Sequence, residues 1–314
     1  MRRYLLRRAA QSFILLWVVS ALFFTFQRVA PGGPEAYLVD PKLSEADKRI
    51  VLSEWGLDQP IPLQYARWIV HVLQGDLGRS FQDRRPVWDK ILERVPNTLY
   101  LNAVAFLIGL LGIPLGVWAA VNRGRFPDHL IRVFTVVFNS VPSWWLGLML
   151  LVLLAATLRL FPLGGMYTIG QDSLPDRLWH LALPALVGAM GGWVGGARIL
   201  RSEMLEALGQ DYIRTARAKG VREQAVHFKH ALRNSLIPYA TGLGPTMVGL
   251  IGGSVLLERV FAWPGIGRLA YDAALQRDFP TSQGLFLIFT SLILAGYLIS
   301  DIATAVADPR VRFD

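Results

Sequence analysis

The chain has 314 residues, 53% hydrophobic and 18% charged, with a mean hydropathy of +0.38. That is too apolar for an ordinary soluble domain of this length, so most of it is expected in lipid. The absence of cysteine excludes a disulfide framework and thiolate metal or nucleophile sites. A formal charge of +9 fits either a nucleic-acid binder or a membrane protein with cationic loops, and only the position of the cations separates the two.

MRRYLLRR places four arginines before the first long apolar run, 9–30. The run is long and leaves through QRVAPGGP without a small-x-small site, which favours an uncleaved helix over a signal peptide. The segment 31–97 is too long for a bare connection and too short for a catalytic domain, so it is expected to fold as helices outside the membrane. Ser44 and Asp47 resemble a capping box for a helix over 45–55. Pro62 opens a second helical pattern through Leu73, GDLGRSF is turn chemistry, and 87–94 reads as a third short helix.

Five further runs, 98–121, 131–158, 181–199, 236–257 and 285–307, each approach the roughly 20 apolar residues that a spanning helix needs. None alternates as a membrane barrel strand would. The fold class is therefore an all-α integral membrane protein with six transmembrane helices. Gly188, Gly192 and Gly196 recur every fourth residue, and Gly191–Gly195, Gly112–Gly116 and Gly249–Gly253 repeat that spacing, as faces on which helices approach closely. Asp301 is the one ionisable group well inside a run; it either bonds a neighbouring helix or marks an ion path. Asn139, Ser140 and Ser143 line a pathway or pack, as do Thr290 and Ser291.

The cations gather in alternate loops. With the N-terminus cytoplasmic, Arg2, Arg3, Arg7 and Arg8, then Arg123, Arg125 and Arg132, then the cationic 199–236 loop, and finally Arg310 and Arg312 all lie inside. The other side carries both signs in near balance, with Glu258 beside Arg259 and Asp278 beside Arg277. This follows the positive-inside rule, puts both termini in the cytoplasm, and removes the nucleic-acid reading.

Within 199–236, Asp211 reads as an N-cap, 212–219 as helix, Gly220 as a left-handed C-cap, and 222–236 as a second helix. A lipid-binding basic helix would keep one continuous apolar face. A glycine corner flanked by Thr215, Ala216 and Ala218 instead has the shape of a knob for a protein groove. In the 258–284 loop, WPGIG turns the chain before an amphipathic stretch over 266–275. Two roles fit it: an interfacial helix with Phe261 and Trp263 at headgroup depth, or a cover for a gate built on Trp263, Pro264 and Gly265.

DYIRTARAKGV followed by HALRNSLIP resembles the cytoplasmic coupling loop, the EAA loop, of ABC importer permeases of the peptide/nickel family. WGLDQPIPLQYARWI, GDLGRSF, RVPNTLYL, WPGIGRLAYDA and DPRVRFD follow that family's order along the whole chain. Arg214, Thr215 and Ala216 stand where the Glu-Ala-Ala triplet would be, and Gly220 matches the motif glycine.

The resemblance implies one permease domain over 1–314 with a type I, MetI-like bundle in the inner membrane. The external region would be 31–97, the ATPase-coupling loop 199–236 and the external gate loop 258–284. It implies coupling contacts by Arg214, Thr215, Ala216, Arg217, Ala218, Lys219, Gly220, Val221, Arg222 and Glu223. The implied partners are a second homologous permease, two ABC ATPase subunits that bind ATP and magnesium, an extracytoplasmic substrate-binding protein and the lipid bilayer. The implied cargo is peptide, with nickel or another small solute as the alternative.

The sequence itself holds no GxxxxGK[ST], HExxH, GxSxG or Rossmann glycine motif, so no cofactor, metal or hydrolytic site is expected in this chain. His227 and His230, three apart, read as surface residues rather than ligands. An ion-driven transporter would need a richer charge relay than Asp301 alone.

Overall fold

A computed structural model describes residues 2–33, 44, 46, 48–49, 52–53, 56–237, 249–250 and 255–307. The expected fifth run, 236–257, falls mostly outside these residues, as do most of the 45–55 helix and all of 308–314. What is described is helical or loop, with two isolated β-bridges.

The centre is the helix to which the glycine repeat belongs, Leu174–Leu208, here α7. It is longer than the apolar run 181–199 because its start is set by a cap rather than by hydropathy. Ser173 Oγ accepts the Asp176 amide at 3.4 Å, and Pro175 lies in the first turn, where a missing N–H costs nothing. Against it lie α3 (Val87–Gly109) and α4 (Gly112–Val121). The short helix expected over 87–94 is thus the first turns of α3. Pro96 removes one amide donor inside it without ending it, and the chain breaks instead at Leu110–Leu111.

The glycines act at that break. A Cβ on Gly192 would stand 2.8 Å from Gly109 Cα, and one on Gly112 would stand 2.5 Å from Gly192 O. Two backbones therefore touch directly, and Trp193 Nε1 donates to Ile108 O at 2.6 Å across the same seam. Gly191 and Gly195 turn away, with open space where a Cβ would go.

The expected third span, 131–158, is two pieces. α5 (Phe126–Asn139) and α6 (143–157), the latter Ser143–Leu150 followed by a π turn Leu151–Thr157, meet at 95°. Pro142 cannot donate, and it biases Val141 away from helical angles, so an unbroken span is sterically opposed there. α5 is tied to α7 by Asp128, 1% exposed, whose carboxylate takes Arg201 Nε at 2.5 Å and the Gly124 amide at 2.9 Å.

At one end of α7, α8 (Asp211–Ala218) and α9 (223–235) fold back on its last turns. α9 consists of Glu223–Ala225, a π turn Val226–Ala231 and Leu232–Ser235. At the opposite end lie α10 (Val255–Val260) and α11 (Ile266–Leu275), the latter with the bounds expected from its amphipathic pattern. α1 (Arg2–Val29) pairs with α12 (Phe279–Ala307), where Phe23 stacks on Phe286 at 3.8 Å. α2 (Ile61–Leu73) leans on α1 through Tyr65, whose hydroxyl is 2.8 Å from Ser20 Oγ. Four described helices are long and apolar enough to cross a membrane, and the bent α5–α6 pair makes five.

Candidate functional site

The α8–α9 corner begins with backbone chemistry. Gly220 has φ +78°, the left-handed region that only glycine enters without strain. Its amide donates to Arg217 O at 2.9 Å while the next amide, of Val221, donates to Ala216 O at 3.2 Å. This is a Schellman cap, and Val221 packs beside the same cluster that buries Ala216. A side-chain clasp closes the corner: Arg217 donates from Nε and Nη2 to both Glu223 oxygens, at 2.7 and 3.1 Å. The Arg217 guanidinium holds the Glu223 carboxyl below its usual range.

The apolar positions decide which way the corner faces. Ile213, Ala216, Val226 and Ala231 are buried against Leu200, Met204 and Ala207 of α7 and Val117 and Ala120 of α4. Arg214, Thr215, Arg217, Ala218, Lys219, Gly220, Arg222 and Glu223 are exposed. Two residues of the expected contact set therefore face the bundle: Ala216 is buried and Val221 half-buried, because helical spacing puts 213 and 216 on one stripe. The N-cap expectation also shifts by one residue. Gln210 holds the cap position with extended backbone, and Asp211, already helical, accepts from Arg214 at 3.1 Å.

At the other end the expected gate residues form a rigid block. Trp263 is fully buried and Phe261 is 2% exposed, so both aromatics pack inside the protein. Trp263 Nε1 donates to Asn97 O at 2.9 Å, and Asn97 Nδ2 returns a bond to Pro264 O at 2.9 Å. The residue that organises the block is Glu258, also fully buried. Its carboxylate accepts Thr98 Oγ1 at 2.8 Å and the Arg268 amide at 2.9 Å, while the Ile266 amide donates to Thr98 Oγ1 at 2.9 Å. Arg259, the neighbour of Glu258 in sequence, points away, since adjacent residues along a helix diverge; it lies 3.7 Å from Asp272. Asp278 likewise turns from Arg277 and accepts Ser80 Oγ at 2.5 Å, the Phe81 amide at 2.9 Å and Thr281 Oγ1 at 2.7 Å, pinning the GDLGRSF turn to the start of α12. Sequence reasoning missed both acids as organising groups. The only signal was an acid in an aromatic and glycine-rich setting.

Burial pushes the Glu258 carboxyl above its usual range of about 4.5, and the hydrogen bonds offset this only in part. A raised native value means that the folded state binds the proton more tightly. The stability contribution is therefore full below about pH 4.5 and is lost as pH rises through the raised value. Glu258→Gln, which mimics the neutral form, is expected to flatten the difference in melting temperature between pH 5 and pH 7.5 relative to the parent. An unchanged difference would remove Glu258 as its source.

Asn139, Ser140 and Ser143 sit exposed at the α5–α6 bend, where Ser140 Oγ bonds Val136 O at 2.9 Å. Asp301 pairs with Arg8 Nε at 2.8 Å, linking α12 to α1. Among the described residues no hydrogen bond joins Asp301, the bend serines and the Trp263 block into one site. Nor do the described residues hold a cluster of three or more metal-ligating groups; His227 Nε2 faces Glu223 at 3.3 Å.

Comparison with known proteins gives two family matches. The model described as "Binding-protein-dependent transport system inner membrane component" covers residues 112–313, and its N-terminal counterpart covers 1–102. The chain is 40% identical over 316 residues to the oligopeptide transport system permease protein AppB of Bacillus subtilis, covering all of both chains. It is 38% identical over 317 residues to the glutathione transport system permease protein GsiC of Salmonella paratyphi A, again covering all of both. An inward-facing structure of the MetNI methionine ABC transporter matches with TM-score 0.53 at 20% identity, over 71% of this chain and 96% of that one.

Proposed function

This chain belongs to the family of binding-protein-dependent transport system inner membrane components, and on that premise we propose that it forms half of a peptide pathway through the cytoplasmic membrane, with the α8–α9 corner as its coupling site. The peptide cargo rests on the relatives, which are named for oligopeptide and glutathione transport. A second homologous permease completes the pathway, and an extracytoplasmic binding protein delivers the solute to the 31–97 and 258–284 regions. Two ABC ATPase subunits bind ATP and magnesium, so this chain is a conduit rather than an enzyme. Six spans, the third bent and the fifth over 236–257, put both termini and the α8–α9 corner in the cytoplasm, in accord with the cationic loops.

The observation that carries the coupling role is the split character of this corner. One face is fused to α7 and α4 through Ile213, Ala216, Val226 and Ala231, while the other offers Arg214, Arg217, Lys219, Arg222 and Glu223 to a partner. A knob held this way cannot move without moving α7, and α7 touches α3, α4, α5 and α6. ATP-driven closure of the partner would then act as a population shift between inward-facing and outward-facing bundles, transmitted only by contacts that differ between the two. At the far end, Trp263, Pro264 and Gly265 move as one block with Glu258 and serve as the gate, while Asn139, Ser140 and Ser143 lie on the pathway side of the bend.

Purification in detergent with coexpressed ATPase tests this. The native chain is expected to retain the ATPase, and a variant carrying Arg217→Glu, Lys219→Glu and Arg222→Glu is expected to lose it by at least about tenfold, as removal of a hydrogen-bonded charge set implies. Equal retention by both would sink the coupling assignment.

A further inference from the structure

Where α1 ends, a cavity of 420 Å³ opens between it, α2 and the 76–86 turn. Its polar lining is dominated by cations: Arg28, Arg67 and Arg79 face one acid, Asp76, with His71 beside it. Asp76 is already engaged, taking the Gly78 amide at 2.8 Å and lying 3.5 Å from His71 Nδ1. Arg28, 8% exposed, is fixed by a 2.8 Å bond from its Nε to Gln64 Oε1 and by lying 4.4 Å over the Phe24 ring. Gln64 is fixed in turn by a 2.8 Å bond to Gln59 O. Trp68 also lines the cavity, and among the described residues its buried indole Nε1 has no hydrogen-bond acceptor. Three guanidiniums, with Arg28 held by Gln64 and Arg79 donating to Arg84 O at 3.2 Å, outnumber the one engaged acid around this void and call for an anionic acceptor with several oxygens.

The surroundings favour a lipid as its source. Leu63, Arg67 and Val70 follow one another at helical spacing on α2, and both apolar members are exposed, so a cation at the cavity rim is flanked by bare hydrocarbon. The last turns of α1 expose Leu22, Phe26 and Val29 at the same depth. An amphipathic helix beside the end of a spanning helix lies at the membrane interface, where phosphates sit.

We propose that this cavity binds the phosphate of an anionic phospholipid in the outer leaflet, with its acyl chains along the Leu63–Val70 face. The leaflet, though not the site, rests on the orientation proposed above.

The full chain purified in mixed micelles of phosphatidylglycerol and phosphatidylcholine, read by native mass spectrometry, tests this. Phosphatidylglycerol is expected to be retained at least about fivefold over phosphatidylcholine, the margin that charge-assisted bonds to guanidinium provide. Arg67→Gln with Arg79→Gln should remove that preference, and Arg123→Gln with Arg125→Gln, an equal charge loss in the α4–α5 loop, should keep it. Trp68→Phe, which keeps an aromatic ring but removes the indole donor with part of the ring, should weaken it about threefold and decides the matter if the double variant fails to fold. Unchanged preference in both cavity variants overturns the site. Displacement by inorganic phosphate at equal concentration overturns the lipid as its source. The chain has no cysteine, so a Gln82→Cys variant reports the side cleanly: labelling of intact cells by an impermeant maleimide supports the outer leaflet, and labelling only after permeabilisation overturns it.

Discussion

Gly220→Val is expected to abolish ATP-driven uptake and ATPase retention, while Gly220→Asn keeps most of both. At φ +78° a β-branched side chain meets its own backbone, at a cost of about 1–3 kcal/mol, whereas asparagine tolerates the left-handed region. Space is not the obstacle, because nothing lies within 4 Å of a Cβ built there. The effect must come through the backbone: the chain leaves the left-handed region, the Gly220 and Val221 amides lose their acceptors, and Glu223 no longer meets Arg217. The bundle itself should remain folded, since Ile213 and Val226 keep their burial. Uptake into vesicles and co-purification of the ATPase, each with a melting curve, separate these results. Valine behaving like asparagine in both assays would show that the corner's angle is not what the partner reads.

Gly192→Leu is expected to have the largest effect on folding. Its Cβ would stand 2.8 Å from Gly109 Cα and 3.1 Å from Gly109 O, and backbone atoms cannot rotate away as side chains do. Accommodation requires α7 to part from α3 and α4, which also breaks the Trp193 bond to Ile108; the cost is about 3 kcal/mol or more. Gly191→Leu, one residue away and facing open space, is the matched control and should shift stability by less than about 0.5 kcal/mol in the isolated chain. Melting of both purified variants in detergent tests the pair. Equal loss in the two would mean that glycine content, rather than the Gly109–Gly192 contact, holds the seam.

The periodic elements are legible in the sequence. The apolar run after MRRYLLRR became α1, the Ile266–Leu275 pattern became α11 with the same bounds, and the glycine after Lys219 became a left-handed cap. Each is a local signal, because hydropathy at helical period and a residue without Cβ act over a few neighbours. The bend within the 131–158 run was not legible for the converse reason: hydropathy is blind to the steric rule at Pro142 that bends α5 from α6 by 95°.

By itself, the sequence determined that this chain lives in a membrane, which loops are cationic, and where the corner at Gly220 turns, since those follow from composition and local geometry. Tertiary structure alone decided which face of that corner is free. Whether Ala216 points to a partner or to Met204 depends on what α7 brings beneath it. It also decided that Glu258 and Asp278 ignore the arginines beside them for donors 160 and 197–198 residues away, at Thr98, Phe81 and Ser80. A buried carboxylate takes whatever donors the fold presents at hydrogen-bonding distance, and burial makes leaving them unmet costly, so its partners are set by packing and not by adjacency.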